Sequence, residues 1–238
     1  MKLALIGYGK MGKMLEQIAL QRGHEIVSKI DLDNINDFSS AEFRSADVAL
    51  EFTAPAVAEQ NIRAAWAQNV KVVSGTTGWA NGLQAMQNEL KTNGKTLFWA
   101  SNFSLGVNIF FEINRYLAKI MNNFPQYDLN IEEIHHLEKK DAPSGTAITL
   151  AENILSQIDR KDSWTLSPEK NEQDIEITVL REQNVFGIHT TKYESPEDII
   201  TLTHNAKSRA GFALGTVLAA EFLQNKNGFF GMKDLLKM

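Results

Sequence analysis

The opening of the chain constrains its fold more than any other stretch. An apolar run, Lys2–Gly7 (KLALIG), passes directly into GYGKMG, with Gly7, Gly9 and Gly12 in G-x-G-x-x-G spacing. A continuous apolar run of this length is the pattern of a strand buried on both faces, as in a parallel sheet between layers of helix. KMLEQIALQRG then carries Met14, Ile18 and Leu20 at helical spacing and stops at Gly23. Glu25–Ile30 (EIVSKI) reads as a second strand ending at Asp31. In a strand–glycine turn–helix unit the three glycines have separate tasks. One permits the tight turn, one lets a pyrophosphate approach the backbone, and one lets the helix pack on the strand. The helix start offers its unpaired N–H groups to phosphate. Asp31, 19 residues after Gly12, stands where a carboxylate binds ribose hydroxyls, which favours NAD. Leu32 and Asp33 follow it rather than arginine, and Lys10 is the candidate partner for a 2′-phosphate. The expected cofactor is NADH and/or NADPH.

The same alternation continues. Asp47–Thr53 (DVALEFT) reads as a strand stopped by Ala54-Pro55, and AVAEQNIRAAWAQN as a helix. Val70–Gly78 (VKVVSGTTG) reads as a strand running into a polar glycine turn. LQAMQNELKTNG is a helix and Lys95–Ser104 (KTLFWASNFS) a further strand. Repeated βα units imply a doubly wound parallel sheet of the Rossmann type, with ligands at the carboxyl ends of the strands. The turns at Phe52-Thr53, Gly75-Thr76-Thr77 and Ala100–Phe103 are therefore expected to line the cofactor cleft.

The second half has a different rhythm. Leu105–Phe124 places Ile109, Phe110, Ile113, Leu117, Ile120 and Met121 on a wide apolar helix face, expected to be core. YDLNIEEIHH alternates in part and reads as a strand; GTAITLAENILSQI is helical. Asp159–Asp174 is polar without a clear period and reads as an exposed loop. DIEITVLREQNVFGIHTTKYESPEDIITLTHNAKS reads as several strands joined by turns. These features predict an α+β substrate and oligomerisation domain on a largely antiparallel sheet, spanning 105–208. The tail, helical and then irregular, is expected to pack back on the first domain. The dinucleotide-binding domain is then 1–104 plus 209–238.

Composition excludes several classes. The chain has 238 residues, a formal net charge of −5 and no cysteine. Disulfides and thiolate metal sites are ruled out, and the charge balance speaks against nucleic acid as a partner. MKLALIGYGKMGKM shows no cleavage pattern and reads as a first strand, not a signal peptide. No run approaches the roughly 18 apolar residues that mark a membrane span. A cytoplasmic protein with no membrane partner and no bound metal is expected.

Ile131–Ala147, IEEIHHLEKKDAPSGTA, gathers protonatable and cationic groups in this acidic chain. The strand ends near His135-His136, adjacent residues that point to opposite faces. Lys139 and Lys140 follow in a loop. Asp141-Ala142-Pro143 leads to Ser144, a good N-cap, with Gly145 and Thr146 in the first turn of a helix. A cationic loop beside a helix N-terminus is suited to carboxylates, and histidine can exchange a proton near neutrality.

This segment resembles the signature E-x-H-H-x-x-K-x-D-A-P-S-G-T-A of the dihydrodipicolinate reductase family, matched throughout from Glu133 to Ala147. GYGKMG, FTAP, GTTG, SNFSLGVN, GIH and HNAKSRAGFALG follow in the family's order, so the resemblance covers essentially the whole chain. It implies a reductase of lysine and diaminopimelate biosynthesis, in which a nicotinamide cofactor gives hydride to a cyclic imine dicarboxylate. By match to the motif, His135 would be the catalytic proton donor or acceptor and Lys139 the proton donor assisting reduction. His136, Gly145 and Thr146 would bind substrate. Gly7, Tyr8, Gly9, Lys10, Met11, Gly12, Asp31, Gly75, Thr76, Thr77, Ala100, Ser101, Asn102 and Phe103 would hold the cofactor. The resemblance also implies a homotetramer joined through the second domain's sheet.

Two departures stand out. The connection from Asp31 to Asp47 is shorter than is common in the family, and Glu51 stands where the family often has Asp, a change expected to be minor. Two other readings compete. Another Rossmann oxidoreductase acting on an aspartate-derived metabolite explains the glycine loop but not Glu133–Ala147. A non-catalytic dinucleotide-binding regulator leaves the His-His-Lys cluster without a task.

Overall fold

The fold was analysed in a computed structural model, which describes residues 1–169 and 171–238. The side chains of Ala80, Asn81, Gln84, Asn88, Lys91 and Thr92 lie outside that description. The chain forms two compact units, Met1–Leu105 with Ala210–Met238, and Gly106–Arg209.

The first unit is built on β1 (Lys2–Ile6), β2 (Glu25–Ile30), β3 (Val48–Glu51), β4 (Lys71–Ser74) and β5 (Thr96–Trp99). Helices α1 (Lys10–Gln21), α2 (Ala41–Arg44), α3 (Pro55–Ala67) and α4 (Ala80–Asn93) connect them. These strands and a late one, β11 (Gly228–Phe230), form a parallel sheet in the order β11-β5-β4-β3-β1-β2. Period-2 alternation sends side chains to opposite faces, so each strand feeds two cores. Leu3, Leu5, Val48, Leu50, Val73 and Phe98 meet α1 and α7 (Ala210–Phe222) through Leu15, Ala19, Ala213 and Val217. Ala4, Ile6, Ala49, Val72 and Leu97 meet α3 and α4 through Ala58, Ile62, Trp66, Met86 and Leu90. Burial on both faces is the reason the middles of β1, β3, β4 and β5 are continuously apolar. Pro55 starts α3 at a position where its missing N–H is not needed.

The chain runs from β1 to β2 on one side and returns to β3 on the other. The strand order therefore reverses between β1 and β3, the location at which such sheets open a crevice. Ile6 pairs with Glu51, Glu51 with Ser74 and Ser74 with Trp99, so four strands end at one level.

The second unit carries α5 (Leu105–Met121, its first residue at the unit boundary), β6 (Asp128–His135), α6 (Gly145–Leu155), β7 (Ser163–Leu166), β8 (Asp174–Arg181), β9 (Ile188–Glu194) and β10 (Ile199–Asn205). Their sheet has the order β10-β9-β6-β8-β7. Only the β6–β9 and β9–β10 pairs are antiparallel; β8 runs parallel to β6 and β7 parallel to β8. The expectation of a largely antiparallel sheet thus gives way to a mixed one. Alternation along a strand fixes its buried face, whereas the connection fixes its direction, and α6 carries the chain back across the sheet.

Three further expectations change. The polar stretch Asp159–Asp174 contains β7, a four-residue edge strand held by its pairing with β8 rather than by an apolar pattern of its own. The irregular tail contains β11, which extends the first sheet beside β5, followed by α8 (Met232–Leu236). On α5, Val107, Phe110, Asn114, Ala118 and Met121 form the buried line. Ile109, Ile113 and Ile120 lie on an exposed line with Tyr116, so half of the apolar stripe is not core of this chain. Among the described residues no helix is long and apolar enough to cross a membrane.

Candidate active site

In the first unit, the residues expected to hold a dinucleotide lie at the carboxyl ends of parallel strands. Gly7 follows β1 with φ of +90°, and a Cβ there would lie 2.2 Å from the Phe52 carbonyl oxygen. A Cβ on Gly12 would lie 2.2 Å from the Gly7 carbonyl oxygen, so helix and turn are in contact. Gly9 is different: a Cβ on it would meet nothing within 4 Å. The space in front of the α1 N-terminus is therefore open to a ligand. The first turn of α1 has no acidic residue to oppose an anion. Lys10 and Met11 begin that helix. Asp31 accepts a hydrogen bond from the Tyr8 N–H at 3.1 Å and from the Leu32 N–H at 2.9 Å. One carboxylate thus ties the end of β2 to the glycine turn. The Tyr8 ring is covered by the Lys29 ammonium at 4.5 Å.

Gly75, Thr76 and Thr77 follow β4. A Cβ on Gly75 would lie 2.1 Å from the Phe52 ring, so only glycine permits this packing. Thr76 is fixed from two sides. Its hydroxyl donates to Glu51 at 2.8 Å, and its carbonyl accepts from the Trp79 and Trp99 indoles at 2.7 and 3.1 Å. Ala100, Ser101, Asn102 and Phe103 follow β5. Phe103 is buried against Phe52 and Phe98, with ring centroids 5.8 and 5.7 Å away. Its carbonyl oxygen lies where a Cβ on Gly215 of α7 would be, 1.8 Å away. An open helix start, close-packed glycines and an acid at the end of β2 fit a nicotinamide dinucleotide.

In the second unit, Leu129, Ile131, Glu133 and His135 lie on the helix-covered face of β6. The face changes from apolar to ionisable toward the end of the strand. Register sets the neighbours: Glu133 is opposite His189 of β9, and His135 is opposite Arg181 of β8. Glu133 is fully buried. It accepts from the Ser144 N–H at 2.9 Å and from Arg181 at 3.3 Å. Arg181 also donates to the carbonyls of Asp141 at 2.7 Å and Lys139 at 3.4 Å, which anchors the loop after β6. His189 Nε2 lies 3.1 Å from Ser144 Oγ, and the His135 and His189 rings meet edge to face at 5.0 Å. A Cβ on Gly187 would lie 3.0 Å from His135 Nε2, so glycine leaves room for that ring.

Burial lowers the His135 pKa; the Glu133 carboxylate opposes this, and the Lys139 and Arg181 charges add to it. Burial with the nearby His135, His204 and Lys139 pushes His189 down to about 3. Both imidazoles are therefore neutral at pH 7. Lys139 keeps its ammonium 2.9 Å from both oxygens of Asp141, whose carboxyl is held below the usual range chiefly by that bond. Lys140 and Glu138 are exposed and His136 half-buried. Ser144 caps α6, accepting from the Ala147 N–H at 3.2 Å. The amides of Gly145 and Thr146 have no intrahelical acceptor, and no acid lies in that turn. Glu133, His135 and His189 lie close enough to hold a cation. Arg181 and the Ser144 amide already occupy the two Glu133 oxygens, so the cluster is compensated as an ion-pair network.

The expected residues gather in two groups, the cofactor set in the first unit and His135, His136, Lys139, Gly145 and Thr146 in the second. Sequence reading gave no role to Glu133, Arg181, Gly187 or His189. The signal available for Glu133 was an acid at a core-facing position of an alternating strand. Glu51, expected to matter little, is fully buried and accepts from Ser74, Thr76 and Thr53.

The family model described as dihydrodipicolinate reductase, N-terminus, matches residues 1–103, and that described as dihydrodipicolinate reductase, C-terminus, matches residues 106–236. A relative from Christiangramia forsetii, 4-hydroxy-tetrahydrodipicolinate reductase, is 49% identical over 236 residues, covering 99% of this chain and 98% of its own. One of the same name from Rickettsia rickettsii is 34% identical, covering 97% and 96%. The solved structure of a dipicolinate-bound dihydrodipicolinate reductase from Paenisporosarcina sp. TG-14 shares the fold, with a TM-score of 0.78, 23% identity and 98% coverage of both chains. The glycine turn, the ionisable end of β6 and matches to both family models that together span nearly the whole chain lead to one conclusion: this chain belongs to the dihydrodipicolinate reductase family.

Proposed function

We propose that the chain is a 4-hydroxy-tetrahydrodipicolinate reductase, which reduces a cyclic imine dicarboxylate to tetrahydrodipicolinate in diaminopimelate and lysine biosynthesis. NAD(P)H, when bound, supplies the hydride. The Gly7–Gly12 turn and α1 N-terminus take the pyrophosphate, Asp31 the ribose, and the turns Gly75–Thr77 and Ala100–Phe103 the rest of the cofactor. The observation that carries the reading is the clustering of His135, Lys139 and the open α6 N-terminus at one end of β6.

Each part has a physical task. The amides of Gly145 and Thr146, with the α6 dipole, bind one substrate carboxylate. His136 supplies a further polar contact. Hydride addition at the imine builds electron density on the ring nitrogen, and a positioned acid lowers that barrier. The Lys139 ammonium is the charged donor for that proton. His135, neutral through burial, orients the substrate and exchanges protons with it. Fixed positive charge from Lys139 and Arg181 favours both the dicarboxylate and the charge that develops during reduction.

The same reading makes the protein a cytoplasmic homotetramer. Association through the second sheet is supported by apolar side chains left open on it, Leu180, Ile199 and Ile200. The deciding experiment follows nicotinamide absorbance with freshly prepared dihydrodipicolinate-type substrate, NADH and NADPH side by side. Substrate-dependent oxidation of either cofactor is expected; none with either removes the proposal. Light scattering on the eluting protein tests the tetramer.

A further inference from the structure

The Glu51 carboxylate is the least expected group in the first unit. It ends β3, beside the point where the strand order reverses, and is completely buried. Every bond it makes is accepted. Ser74 Oγ donates to Oε2 at 2.6 Å, and Thr76 Oγ1 to Oε1 at 2.8 Å. The Thr53 N–H donates at 3.2 Å and the Thr53 hydroxyl donates as well. The chains extend outward. Asn61 Nδ2 donates to Thr53 Oγ1 at 3.2 Å, and the Thr53 N–H is shared with Thr76 Oγ1 at 2.9 Å. Three hydroxyl protons from two strand-end turns thus converge on one carboxylate.

We infer that Glu51 is a positioning residue for the cofactor, fixing the Thr53 and Gly75–Thr77 turns so that their outer faces are preset to receive the nicotinamide dinucleotide. The inference rests on the proposed function, in which Gly75–Thr77 hold the cofactor. Its physical basis is the direction of the donors. A carboxylate has only acceptor sites, so it orients all three hydroxyls inward at once. An amide of the same shape cannot: its NH₂ group accepts nothing, so the hydroxyl beside it must reverse its proton and gives up its inward hydrogen bond. Thr76 is held on its other side by two indole N–H groups, so the hydrogen bond to Glu51 and the indole bonds together fix the turn between them. The residues proposed to bind the dicarboxylate belong to the second unit and are not among the partners of Glu51.

The test is steady-state kinetics and direct NADH titration of the full-length Glu51→Gln variant, alongside its melting temperature. Loss of one oriented hydrogen bond to a charged group predicts a KM and Kd for NADH raised roughly tenfold or more. The dicarboxylate KM is expected to stay within about twofold, and kcat at saturating NADH to be largely retained. A merely structural role instead lowers the melting temperature and the active fraction while leaving KM for NADH unchanged, and that result overturns the inference. Should Glu51→Gln not fold, Ser74→Ala removes one donor and keeps the carboxylate. A rise of about threefold in KM for NADH is then expected, and an unchanged value overturns the inference. Wild-type protein that binds neither reduced cofactor overturns the proposed function and this inference together. Normal wild-type binding with an unaltered variant overturns the inference alone.

Discussion

The Lys139 ammonium lies 2.9 Å from each carboxylate oxygen of Asp141, two residues along the chain. The pair occupies the loop that Arg181 fastens to β8 through the Asp141 carbonyl. Asp141 is largely exposed and Lys139 only partly so. An anionic substrate therefore competes with Asp141 for the charge it needs. Replacing Asp141 by Asn is expected to lower KM for the dicarboxylate two- to fivefold or so at low ionic strength, with the gain fading in salt. A raised KM at every salt concentration would mean that Asp141 assists binding instead.

Lys139→Ala is expected to lower kcat by roughly 10²- to 10⁴-fold, the usual span for a positioned general acid. Its ion pair is solvent-facing and contributes no more than about 1 kcal/mol, so the thermal midpoint changes little. Turnover near that of the wild type would remove Lys139 from the mechanism.

His135→Gln is expected to reduce turnover by about 10²-fold or more while leaving the Kd for NADH unchanged, because the role proposed for His135 is toward the substrate and not the dinucleotide. A loss confined to cofactor binding, measured by titration, would contradict the role given to His135.

Acid pH should destabilise the fold through its buried imidazoles. His189 takes up a proton near pH 6.5 when unfolded, but only near pH 3 when folded. Between these values the unfolded chain holds the extra proton, so stability falls as pH drops from about 6.5. At pH 5 the loss from His189 alone is about 2 kcal/mol. His135 and His204, shifted the same way, add to it. Urea midpoints at pH 7.5 and 5 measure the loss, and His189→Gln is expected to flatten the slope. Equal slopes in the two proteins would refute the assignment to His189.

Asp31→Asn is expected to reduce kcat/KM for NADH by roughly tenfold, through weaker binding of the ribose hydroxyls. NADPH, whose 2′-phosphate is repelled by Asp31, should lose less or gain. Parallel changes with the two cofactors would show that Asp31 acts only through its bond to the Tyr8 amide.

The sequence by itself determined what depends on neighbours close along the chain. β2 spans Glu25–Ile30, as its pattern indicated, and Gly7 and Gly9 lie in the turn between β1 and α1, with Gly12 in the first turn of the helix. Ser144 caps α6 three residues before Ala147, a spacing legible in the letters. Such features follow from local periodicity and turn chemistry, which need no distant partner. Only the tertiary structure decided the rest. Glu133 faces His189 and His135 faces Arg181 because of strand register, a property of pairs far apart in sequence. β7 and β11 are too short to carry a pattern and exist through hydrogen bonds lent by β8 and β5. Glu51 stood out in the sequence only as a minor departure, a glutamate where the family often has aspartate. Its donors come from the ends of two different strands, and only the folded sheet brings three hydroxyls to one carboxylate.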